Sequence, residues 1–325
     1  MKELSEKNLG KRIAVVIPAY KVKRHIEAVV NSIGDDVDLI IIVDDACPEK
    51  TGEHIRTNTK KTNLEVLTHG SNLGVGAAMK TGYKHALEKG MDIVVKMDGD
   101  GQMDATRIKI LIKPLLLEFA DYTKGNRFYY TDQIRLMPKN RVFGNIALSF
   151  FSKLSSGYWN IFDPNNGFTA VNRAVLERIN LNKISDRYFF ESDMLFHLNL
   201  ARAVVLDIPM PPIYGDENSS LSIKKTLIEF PLKHARNFLK RVFYTYILRD
   251  FTFATVALLF GTLLTLFGLI LGVYNFLHSY FLSQATPTGT LVLVLMTSLS
   301  GLQLLLSFLS YDIQSTPNVP LSKIS

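Results

Sequence analysis

Cysteine is almost absent from this chain of 325 residues, in which Cys47 carries the only thiol. A single cysteine excludes a disulfide bond within the chain and is consistent with a reducing compartment. No internal repeat or low-complexity stretch is apparent, which argues against a repeat architecture. A chain of this length predicts two or three structural units, one of them large enough to bury its own core.

Formal charge is missing from one long region. No Asp, Glu, Lys or Arg occurs between Asp250 and Asp312, a gap of 61 residues. Two apolar stretches, residues 251–277 and 289–311, lie in this gap, and each exceeds the roughly 20 residues that cross a bilayer. A pair of buried core helices is the alternative, but so long a stretch without charge is unusual in a soluble protein. We therefore predict two transmembrane helices within residues 251–311.

The charge that the chain does carry, a formal +7, is concentrated beside the first apolar stretch. Residues 223–250 hold seven basic and two acidic residues, a net charge of +5. By the positive-inside rule this flank stays cytoplasmic, and two spans return the tail, residues 312–325, to the same side. The polar N-terminus is not a signal peptide, so we expect an integral protein of the cytoplasmic membrane with its first domain, residues 1–222, in the cytosol.

The basic flank also has a helical pattern. Between residues 223 and 246, basic and apolar side chains alternate at helical spacing, which suits a helix lying among lipid headgroups. Anionic lipids would add about 1 kcal/mol per basic residue near the surface. A structural helix beneath the domain fits the pattern equally well. Because the basic residues cluster at the predicted membrane edge, we expect no nucleic-acid partner.

Small residues recur in the first apolar stretch, at Gly261, Gly268 and Gly272. Glycine lets transmembrane helices approach closely, and Gly268 and Gly272 have the small-xxx-small spacing of such contacts. A homo-oligomer is therefore among the assemblies that the sequence allows.

The first hundred residues alternate short apolar runs with helical patterns. Residues 12–18, 39–43, 64–68 and 93–97 are predicted strands, and residues 25–33 are a predicted helix. This alternation predicts an α/β fold with a parallel sheet and helices on both faces.

Two aspartates follow the fourth predicted strand, at Asp98 and Asp100, and Gln102 comes next. They would emerge at the carboxyl edge of the sheet, where open α/β sheets place their ligands. Two carboxylates and an amide are hard oxygen ligands that suit Mg²⁺ or Mn²⁺ while leaving positions for substrate phosphates. The alternative is a simple Asp-Gly turn. A calcium loop of the EF-hand type fits worse, because Met103 and Lys109 stand where glycine and glutamate are required.

A second glycine-containing motif, Gly74-Val-Gly76, follows a predicted strand and opens a helix. With Asp98 about 20 residues on, it has features of a dinucleotide-binding fingerprint. That pattern requires a third glycine where this chain has Met79, so we disfavour an NAD or FAD enzyme.

Seven motifs follow one another along the chain: Ile17-Pro-Ala-Tyr20, Val43-Asp-Asp-Ala-Cys-Pro-Glu-Lys-Thr51, Asn72-Leu-Gly74, Asp98-Gly-Asp100, Gly125-Asn-Arg-Phe128, Asp163-Pro-Asn-Asn-Gly-Phe168 and Glu191-Ser-Asp193. In this order they resemble the motifs of family 2 glycosyltransferases. The resemblance implies a GT-A fold, with a Rossmann-like, mixed and mostly parallel sheet. The resemblance covers roughly residues 10–220 and is greatest to dolichol-phosphate mannose synthase and the bacterial polyprenyl-phosphate glycosyltransferases. The two apolar stretches are similar to the membrane anchor of the bacterial members.

The resemblance implies roles for particular residues on the donor side. Asp44 or Asp45 would contact the base or ribose of a nucleotide sugar, and Asp98, Asp100 and Gln102 would hold the metal ion on its diphosphate. The further residues implied at the nucleotide are Pro18, Tyr20 and Asn72. A strand-end aspartate pair such as Asp44 and Asp45 is also a common turn former or helix cap.

On the acceptor side, Arg127 and Arg141 would bind the phosphate of a polyprenyl phosphate lipid, although each fits a surface ion pair as well. In the family, the motif at Asp163 lies near the acceptor, and the motif at Glu191 lies near the sugar hydroxyls or the attacking group. Either carboxylate would orient a substrate or act as a base. Residues 129–140, polar and bounded by proline, are a candidate lid over the site.

The chain departs from the family pattern at two places. Lys21-Val22 replaces the usual Asn-Glu, and Cys47 replaces a serine. Both lie near the expected nucleotide pocket, so the sequence does not decide the identity of the nucleotide base or of the sugar.

These observations predict a membrane-anchored, metal-dependent, inverting transferase that moves a hexose from a UDP- or GDP-sugar to polyprenyl phosphate. A processive polysaccharide synthase of the same fold would need more spans and a Gln-x-x-Arg-Trp motif, whereas the only tryptophan, Trp159, follows Gly-Tyr. The sequence also allows a glycosyltransferase with a non-lipid acceptor, or a non-catalytic scaffold that should bind no nucleotide with metal.

Overall fold

A computed structural model describes residues 10–129, 139–211 and 223–324, and of these it leaves out the side chains of residues 139–143 and 223–228. The chain divides into two compact units. The first comprises residues 1–238 together with 317–325, and the second comprises residues 239–316. We call them the catalytic unit, after the activity that the sequence predicts for it, and the hairpin unit.

The catalytic unit contains a sheet of seven strands in the order β3-β2-β1-β4-β6-β5-β7. The strands are β1 Ile13–Ala19, β2 Leu39–Asp44, β3 Leu64–Thr68, β4 Ile93–Lys96, β5 Tyr122–Asn126, β6 Thr169–Asn172 and β7 Val205–Pro209. The helices are α1 Lys23–Ser32, α2 Thr51–Asn58, α3 Val75–Glu88, α4 Ile108–Leu116, α5 Lys139–Ser156, α6 Arg173–Arg178, α7 Phe190–Leu200 and α8 Ile223–Val242, which continues into the hairpin unit.

Alternate residues of the strands build a core on each face of the sheet. In β1, Ala14 and Val16 join a cluster that includes side chains of α3, α6 and α7. Ile13, Val15 and Ile17 join a second cluster with side chains of α1, α2 and α4. This period of two is the pattern of strands buried on both sides. The predicted fold, a mostly parallel sheet covered on both faces, is confirmed.

The observed elements differ from the predicted bounds by a few residues. The first strand is Ile13–Ala19 instead of 12–18, and the first helix begins at Lys23. The fourth strand ends at Lys96, one residue early, although Met97 N still donates to the carbonyl oxygen of Val16 at 3.1 Å. The ends of helices are hard to predict from a sequence, because capping and tertiary packing both determine where a helix begins and ends.

The hairpin unit contains two long helices, α9 Phe253–Leu282 and α10 Thr288–Gln314. Both are long and apolar enough to cross a membrane, and only 17% and 11% of their most apolar windows are buried. Buried core helices would show the opposite, so this alternative is disfavoured. The helices extend beyond the predicted spans, 251–277 and 289–311, at three of the four ends.

Glycines allow α9 and α10 to pack closely. A methyl group at Gly261 would lie 3.1 Å from the carbonyl oxygen of Gly301, and one at Gly301 would lie 2.5 Å from the backbone nitrogen of Thr265. A methyl group at Gly268 would lie 2.9 Å from the backbone nitrogen of Ser298. The small residues in the first span therefore serve a contact within the hairpin.

A buried ion pair closes the hairpin unit. Arg241, 2% exposed, donates through its two terminal nitrogens to the two carboxylate oxygens of Asp312, at 2.6 and 3.0 Å. The hydroxyl of Tyr246 donates to the same carboxylate at 2.5 Å. Asp312 is the first charged residue after the apolar region, so this contact joins the segment before α9 to the end of α10.

Helix α8 is amphipathic within the catalytic unit. Phe230, His234 and Asn237 are buried, whereas Leu232 is 68% exposed. His234 contacts the Ser155 hydroxyl through Nδ1 at 2.7 Å, and Asn237 donates to Asp193 at 2.7 Å. This face of α8 is therefore held by the domain, as expected of a structural helix beneath it.

The residues after the hairpin return to the catalytic unit. Leu321, 3% exposed, joins the core, and its backbone N–H lies 2.9 Å from both carboxylate oxygens of Asp121. Asp121 precedes β5 and also accepts from Val204 N and the side chain of Asn172. The tail thus contacts the sheet near the amino end of β5.

Candidate functional site

Six of the seven strands point in one direction, and only β6 runs against its neighbours. One edge of the sheet therefore collects the carboxyl ends of β1, β2, β3, β4, β5 and β7 together with the amino end of β6. The segments that follow these strands, and the one that precedes β6, carry the predicted motifs. The sheet brings widely separated motifs to one edge, as open α/β sheets do at their ligand sites.

A row of side chains crosses the sheet just below this edge. Backbone register aligns Val16 with Lys96, Lys96 and Lys124 with Thr169, and Lys124 with Asp207. Paired residues share a face, so these side chains form one layer on the side covered by α3 and α7. The layer is apolar at β1 and polar from β4 to β7, with charged side chains on β4, β5 and β7.

Asp98 and Asp100 stand at the end of β4, as predicted. Gln102 N donates to Asp100 Oδ1 at 2.9 Å, and Gly101 has a φ of +78°, so the Asp-Gly turn that the sequence suggested is present. The turn does not compete with a binding role, because its hydrogen bond uses one oxygen of Asp100 and leaves Asp98 to its own contact with Lys96. A methyl group at Gly167 would lie 2.5 Å from Asp98 Oδ2, so a larger residue at this position would displace the Asp98 carboxylate.

Within the described parts of the chain, no group of three or more His, Cys, Asp and Glu side chains is arranged to hold a metal ion. Asp98 and Asp100 alone make an incomplete site. This matches Mg²⁺ and Mn²⁺ chemistry in which one or two carboxylates hold the ion and substrate phosphates with water complete its shell. The donor set at the end of β4 therefore fits such an ion.

The Lys96 side chain is 1% exposed and lies among acceptors. Its ammonium nitrogen is 2.7 Å from Asp98 Oδ1, 3.2 Å from Glu191 Oε1 and 3.3 Å from the carbonyl oxygen of Gly167. Burial lowers the pKa of Lys96, but the two carboxylates more than offset this and raise it above its ordinary value.

Lys124, on the other side of Thr169, has a different environment. Its ammonium group donates to the carbonyl oxygen of Asn166. Burial lowers the pKa of Lys124 to about 8, although the carboxylates of Asp163, Glu191 and Asp207 act in the opposite direction. Burial likewise raises the pKa of Asp207 to about 6. The charged side chains of the row thus shift one another's pKa values.

Arg127 and Asp163 form a two-pronged ion pair. Nε and a terminal nitrogen of Arg127 donate to the two carboxylate oxygens of Asp163, at 2.8 and 3.0 Å. Asp163 is 2% exposed, while the Arg127 side chain is 28% exposed toward the edge. The carboxylate therefore orients the guanidinium. Arg141 lies in α5, but its side chain is outside the described residues, and so is most of the predicted lid, residues 130–138.

Glu191 and Asp193 both lie in the first turn of α7, where the helix dipole favours carboxylates. Glu191 faces Lys96, and its side chain is 12% exposed. Asp193 instead accepts from the backbone and hydroxyl of Ser185 and from Asn237. The motif thus contributes one carboxylate to the site and one to the attachment of α8.

Asp44 and Asp45 are buried and accept backbone hydrogen bonds. Asp44 accepts from Cys47 N at 2.7 Å and from Gly52 N, in the first turn of α2, at 2.6 Å. Asp45 accepts from Leu73 N and Gly74 N at 2.9 and 2.7 Å. Both therefore organise the loops around the expected nucleotide pocket, which is the turn-forming and capping role that such a pair often has. A contact with the nucleotide itself stays a prediction.

The nucleotide-side residues Pro18, Tyr20 and Asn72 gather at the ends of β1 and β3. Tyr20 is 42% exposed, and the side chain of Asn72 lies 3.5 Å from the carbonyl oxygen of Asp45. The two departures from the family pattern contact each other here, since Lys21 N donates to Cys47 Sγ at 3.1 Å. Lys21 has a left-handed backbone with a φ of +59°. The two positions at which the chain departs from the family pattern thus belong to one local structure.

The N-terminus of α3 is closed by another part of the chain. Ala77 N donates to the carbonyl oxygen of Asp186 at 3.0 Å, and methyl groups at Gly74 or Gly76 would collide with the 185–187 segment. These glycines therefore permit close packing of protein against protein. A dinucleotide pyrophosphate would need that helix end open, so the structure argues against a dinucleotide site here.

Sequence reasoning missed four polar residues of this edge: Lys96, Lys124, Asp207 and His69. His69 bridges Asp45 and the hydroxyl of Thr81 at 2.7 and 2.9 Å. A signal existed for Lys96, because a lysine in an apolar strand two positions before Asp98 shares its face. The others needed the strand register.

The family to which this chain belongs follows from comparison with known proteins. The model of the family described as glycosyl transferase family 2 matches residues 14–179, slightly more than half of the chain. The chain belongs to this family. It is a glycosyltransferase with a GT-A-like fold, and the resemblance inferred from the motifs is confirmed.

Relatives of this glycosyltransferase are named for transfer to lipid phosphates. It is 31% identical over 220 residues to the UDP-N-acetylglucosamine–dolichyl-phosphate N-acetylglucosaminyltransferase of Methanococcus voltae, covering 63% of this chain and 87% of the relative. It is 26% identical over 203 residues to the undecaprenyl-phosphate mannosyltransferase of Micrococcus luteus, covering 61% and 82%.

Among solved structures, glucosyl-3-phosphoglycerate synthase from Mycobacterium tuberculosis superposes with a TM-score of 0.54 and 19% identity, covering 72% of this chain and 81% of the other. That enzyme was solved with Mn²⁺, UDP and glucosyl-3-phosphoglycerate. At this identity the likeness establishes the fold.

Proposed function

We propose that this glycosyltransferase moves a hexose from a nucleotide sugar to a polyprenyl phosphate at the cytoplasmic face of the membrane, with inversion at the anomeric carbon. The observation that carries the proposal is the pairing, in one chain, of a charged sheet edge with an apolar hairpin. Relatives named for transfer to dolichyl and undecaprenyl phosphate support it. A lipid acceptor cannot leave the bilayer, so the hairpin would anchor the enzyme in the membrane that contains its acceptor.

On the donor side, Asp98 and Asp100, with Gln102, would hold Mg²⁺ or Mn²⁺. The chemistry that a bound ion would supply there is neutralisation of the diphosphate of the departing nucleotide, and the protein would then need no acid to protonate it. Asp44 and Asp45 hold the loops that border the base and ribose. Pro18, Tyr20 and Asn72 complete this half of the site.

On the acceptor side, Arg127 and Arg141 compensate the charge of the lipid phosphate. Asp163 holds Arg127 in one orientation, which is the positioning that such a reaction requires. The phosphate oxygen attacks the anomeric carbon, a new carbon–oxygen bond forms, and the bond to the nucleoside diphosphate breaks on the opposite side. Because a phosphate monoester carries about 1.5 to 2 negative charges near pH 7, it attacks without a strong base.

The test is sugar transfer by purified protein with Mn²⁺ or Mg²⁺, with UDP-glucose, UDP-N-acetylglucosamine and GDP-mannose assayed in parallel on polyprenyl phosphate. Transfer from one donor should be lost in Asp100→Asn. Asp104→Asn is the matched control, because Asp104 caps the next helical turn through Thr106 N and lies outside the proposed ligand set. Donor hydrolysis without lipid product would overturn the acceptor, and the absence of metal-dependent nucleotide binding would favour a scaffold.

A further inference from the structure

Lys96 lies where the two halves of the proposed site meet. Its strand, β4, is central in the sheet, and its ammonium group contacts Asp98 on the donor side and Glu191 in α7. The third contact, to Gly167, belongs to the loop that begins with Asp163. One side chain thus joins three segments that are separated in sequence.

The packing around Lys96 leaves little freedom. The side chain is 1% exposed, and a methyl group at Gly167 would lie 2.5 Å from its nitrogen as well as from Asp98 Oδ2. The strand below it is buried throughout. The ammonium position is therefore set by the sheet, and the two carboxylates adjust to it.

The two partners of Lys96 are not equivalent. The side chain of Asp98 is 32% exposed, whereas that of Glu191 is 12% exposed. Two carboxylates on one buried cation would repel each other if that cation were removed. The Asp98 side chain can turn toward solvent, whereas Glu191 projects from the first turn of a helix whose next residues are buried.

We propose that Lys96 is a positioning residue that sets the placement of Glu191 relative to the Asp98–Asp100 pair, and thereby aligns the sugar-side carboxylate with the donor. This inference rests on the proposed function for the identity of the substrates. Lys96 touches neither substrate; it acts through Asp98 and Glu191. Lys124 does not share this role, because its ammonium group donates to the carbonyl oxygen of Asn166.

The first variant to test is Lys96→Met, which keeps an unbranched side chain only one atom shorter and removes its charge. Turnover should fall about 10- to 100-fold, the range for residues that orient a functional ligand. The KM for the donor should change little. Mn²⁺ affinity, measured by electron paramagnetic resonance with the matching nucleoside diphosphate, should stay equal or become tighter, because a competing cation has left Asp98. Lys113→Met, an exposed lysine on α4, is the control.

A double-mutant cycle adds a readout that does not depend on one variant folding well. Glu191→Gln keeps Lys96 and its contact with Asp98, and it should lower turnover while retaining Mn²⁺ binding. The double variant should lose no more than the worse single variant, because the two residues act through one contact. Additive losses, an unchanged turnover in Lys96→Met, or parallel loss of Mn²⁺ binding and turnover would each overturn the proposal.

Failure of the proposed function would look different. Wild-type protein would then bind Mn²⁺ with a nucleoside diphosphate, or hydrolyse a nucleotide sugar, without forming a lipid product. The cycle can be run on hydrolysis in that case, so the role of Lys96 is decided separately from the acceptor.

Discussion

The catalytic unit and the hairpin unit use buried charge in opposite ways. At the edge of the catalytic unit, Lys96, Lys124 and Asp163 are nearly inaccessible and lie in a dense network of charged neighbours. In the hairpin unit, the buried charge described by the structure is the Arg241–Asp312 pair, beyond an apolar stretch that packs through glycine. Burying a charge without compensation is unfavourable in both units, so we infer that each buried set of charges has a specific role. In the catalytic unit the buried charges lie at the proposed binding edge, and in the hairpin unit the ion pair joins the segment before α9 to the end of α10.

The largest expected effect tests whether the hairpin unit depends on its ion pair. Arg241→Met leaves Asp312 buried without its cation, and breaking such a pair destabilises a protein by about 3 to 5 kcal/mol. The measurement is unfolding in detergent, followed by far-ultraviolet circular dichroism. The double variant Arg241→Met/Asp312→Leu should recover most of the loss, since it removes the orphaned charge. Equal stability of the single variant and wild type would contradict the comparison.

The next prediction probes the corresponding pair in the catalytic unit. Asp163→Asn removes the carboxylate that orients Arg127, so kcat/KM for the acceptor should fall about 100-fold, or about 2.7 kcal/mol. Initial rates at varied acceptor concentration measure it. Glu177→Gln, which disturbs only the exposed pair with Arg173, is the matched control and should leave the rates unchanged. A stability loss with normal kinetics would make Asp163 structural, like Asp312.

A smaller effect is expected from packing in the hairpin. In Gly301→Ala the added methyl group meets the backbone nitrogen of Thr265 at 2.5 Å, and overpacking of this kind typically destabilises by about 1 to 3 kcal/mol. Gly289→Ala is the control, because nothing lies within 4 Å of that position. Thermal unfolding of both variants in the same detergent gives the difference. Similar melting temperatures would mean that α9 and α10 separate more easily than their glycines indicate.

The smallest effect concerns α8, the helix that both units share. Burial lowers the pKa of His234 to about 4, although nearby Asp193 acts to raise it. Because the unfolded chain binds this proton at higher pH than the folded one, stability is full above about pH 6.5 and is lost as the pH falls toward 4. Between pH 7 and pH 5.5 the loss should be about 1 kcal/mol.

His234→Gln provides the control for this pH dependence. It keeps a polar side chain that can bond to Ser155 but cannot titrate, so its unfolding free energy should vary less over the same interval. Chemical denaturation of both proteins at pH 7 and pH 5.5 gives the comparison. An identical pH dependence in the variant would assign the effect to other groups.

Much of the fold and of the site could be predicted from local patterns. The apolar runs of β1 to β4 have the pattern of buried strands. The charge-free region is long enough for two membrane spans, and few other structures fit either pattern. Asp98 and Asp100 were identified from their place after the fourth predicted strand, whereas Arg127, Asp163 and Glu191 were identified because a family resemblance attaches roles to short motifs. Lys96 and Lys124 carry no such motif, and their importance depends on Thr169, more than 40 residues away, lying between them in the sheet.

The sequence by itself determined the division of this protein into an α/β unit and an apolar hairpin, because hydrophobic periodicity and the absence of charge are local properties. It also determined which residue types were available for metal and phosphate chemistry. Only the tertiary structure decided which carboxylates lie at the proposed ligand site and which hold loops, as Asp98 and Asp44 respectively do. The physical reason is that a carboxylate's role depends on its partners, and Gly52, Lys96 and Arg241 become partners only when strands and helices have been brought into register.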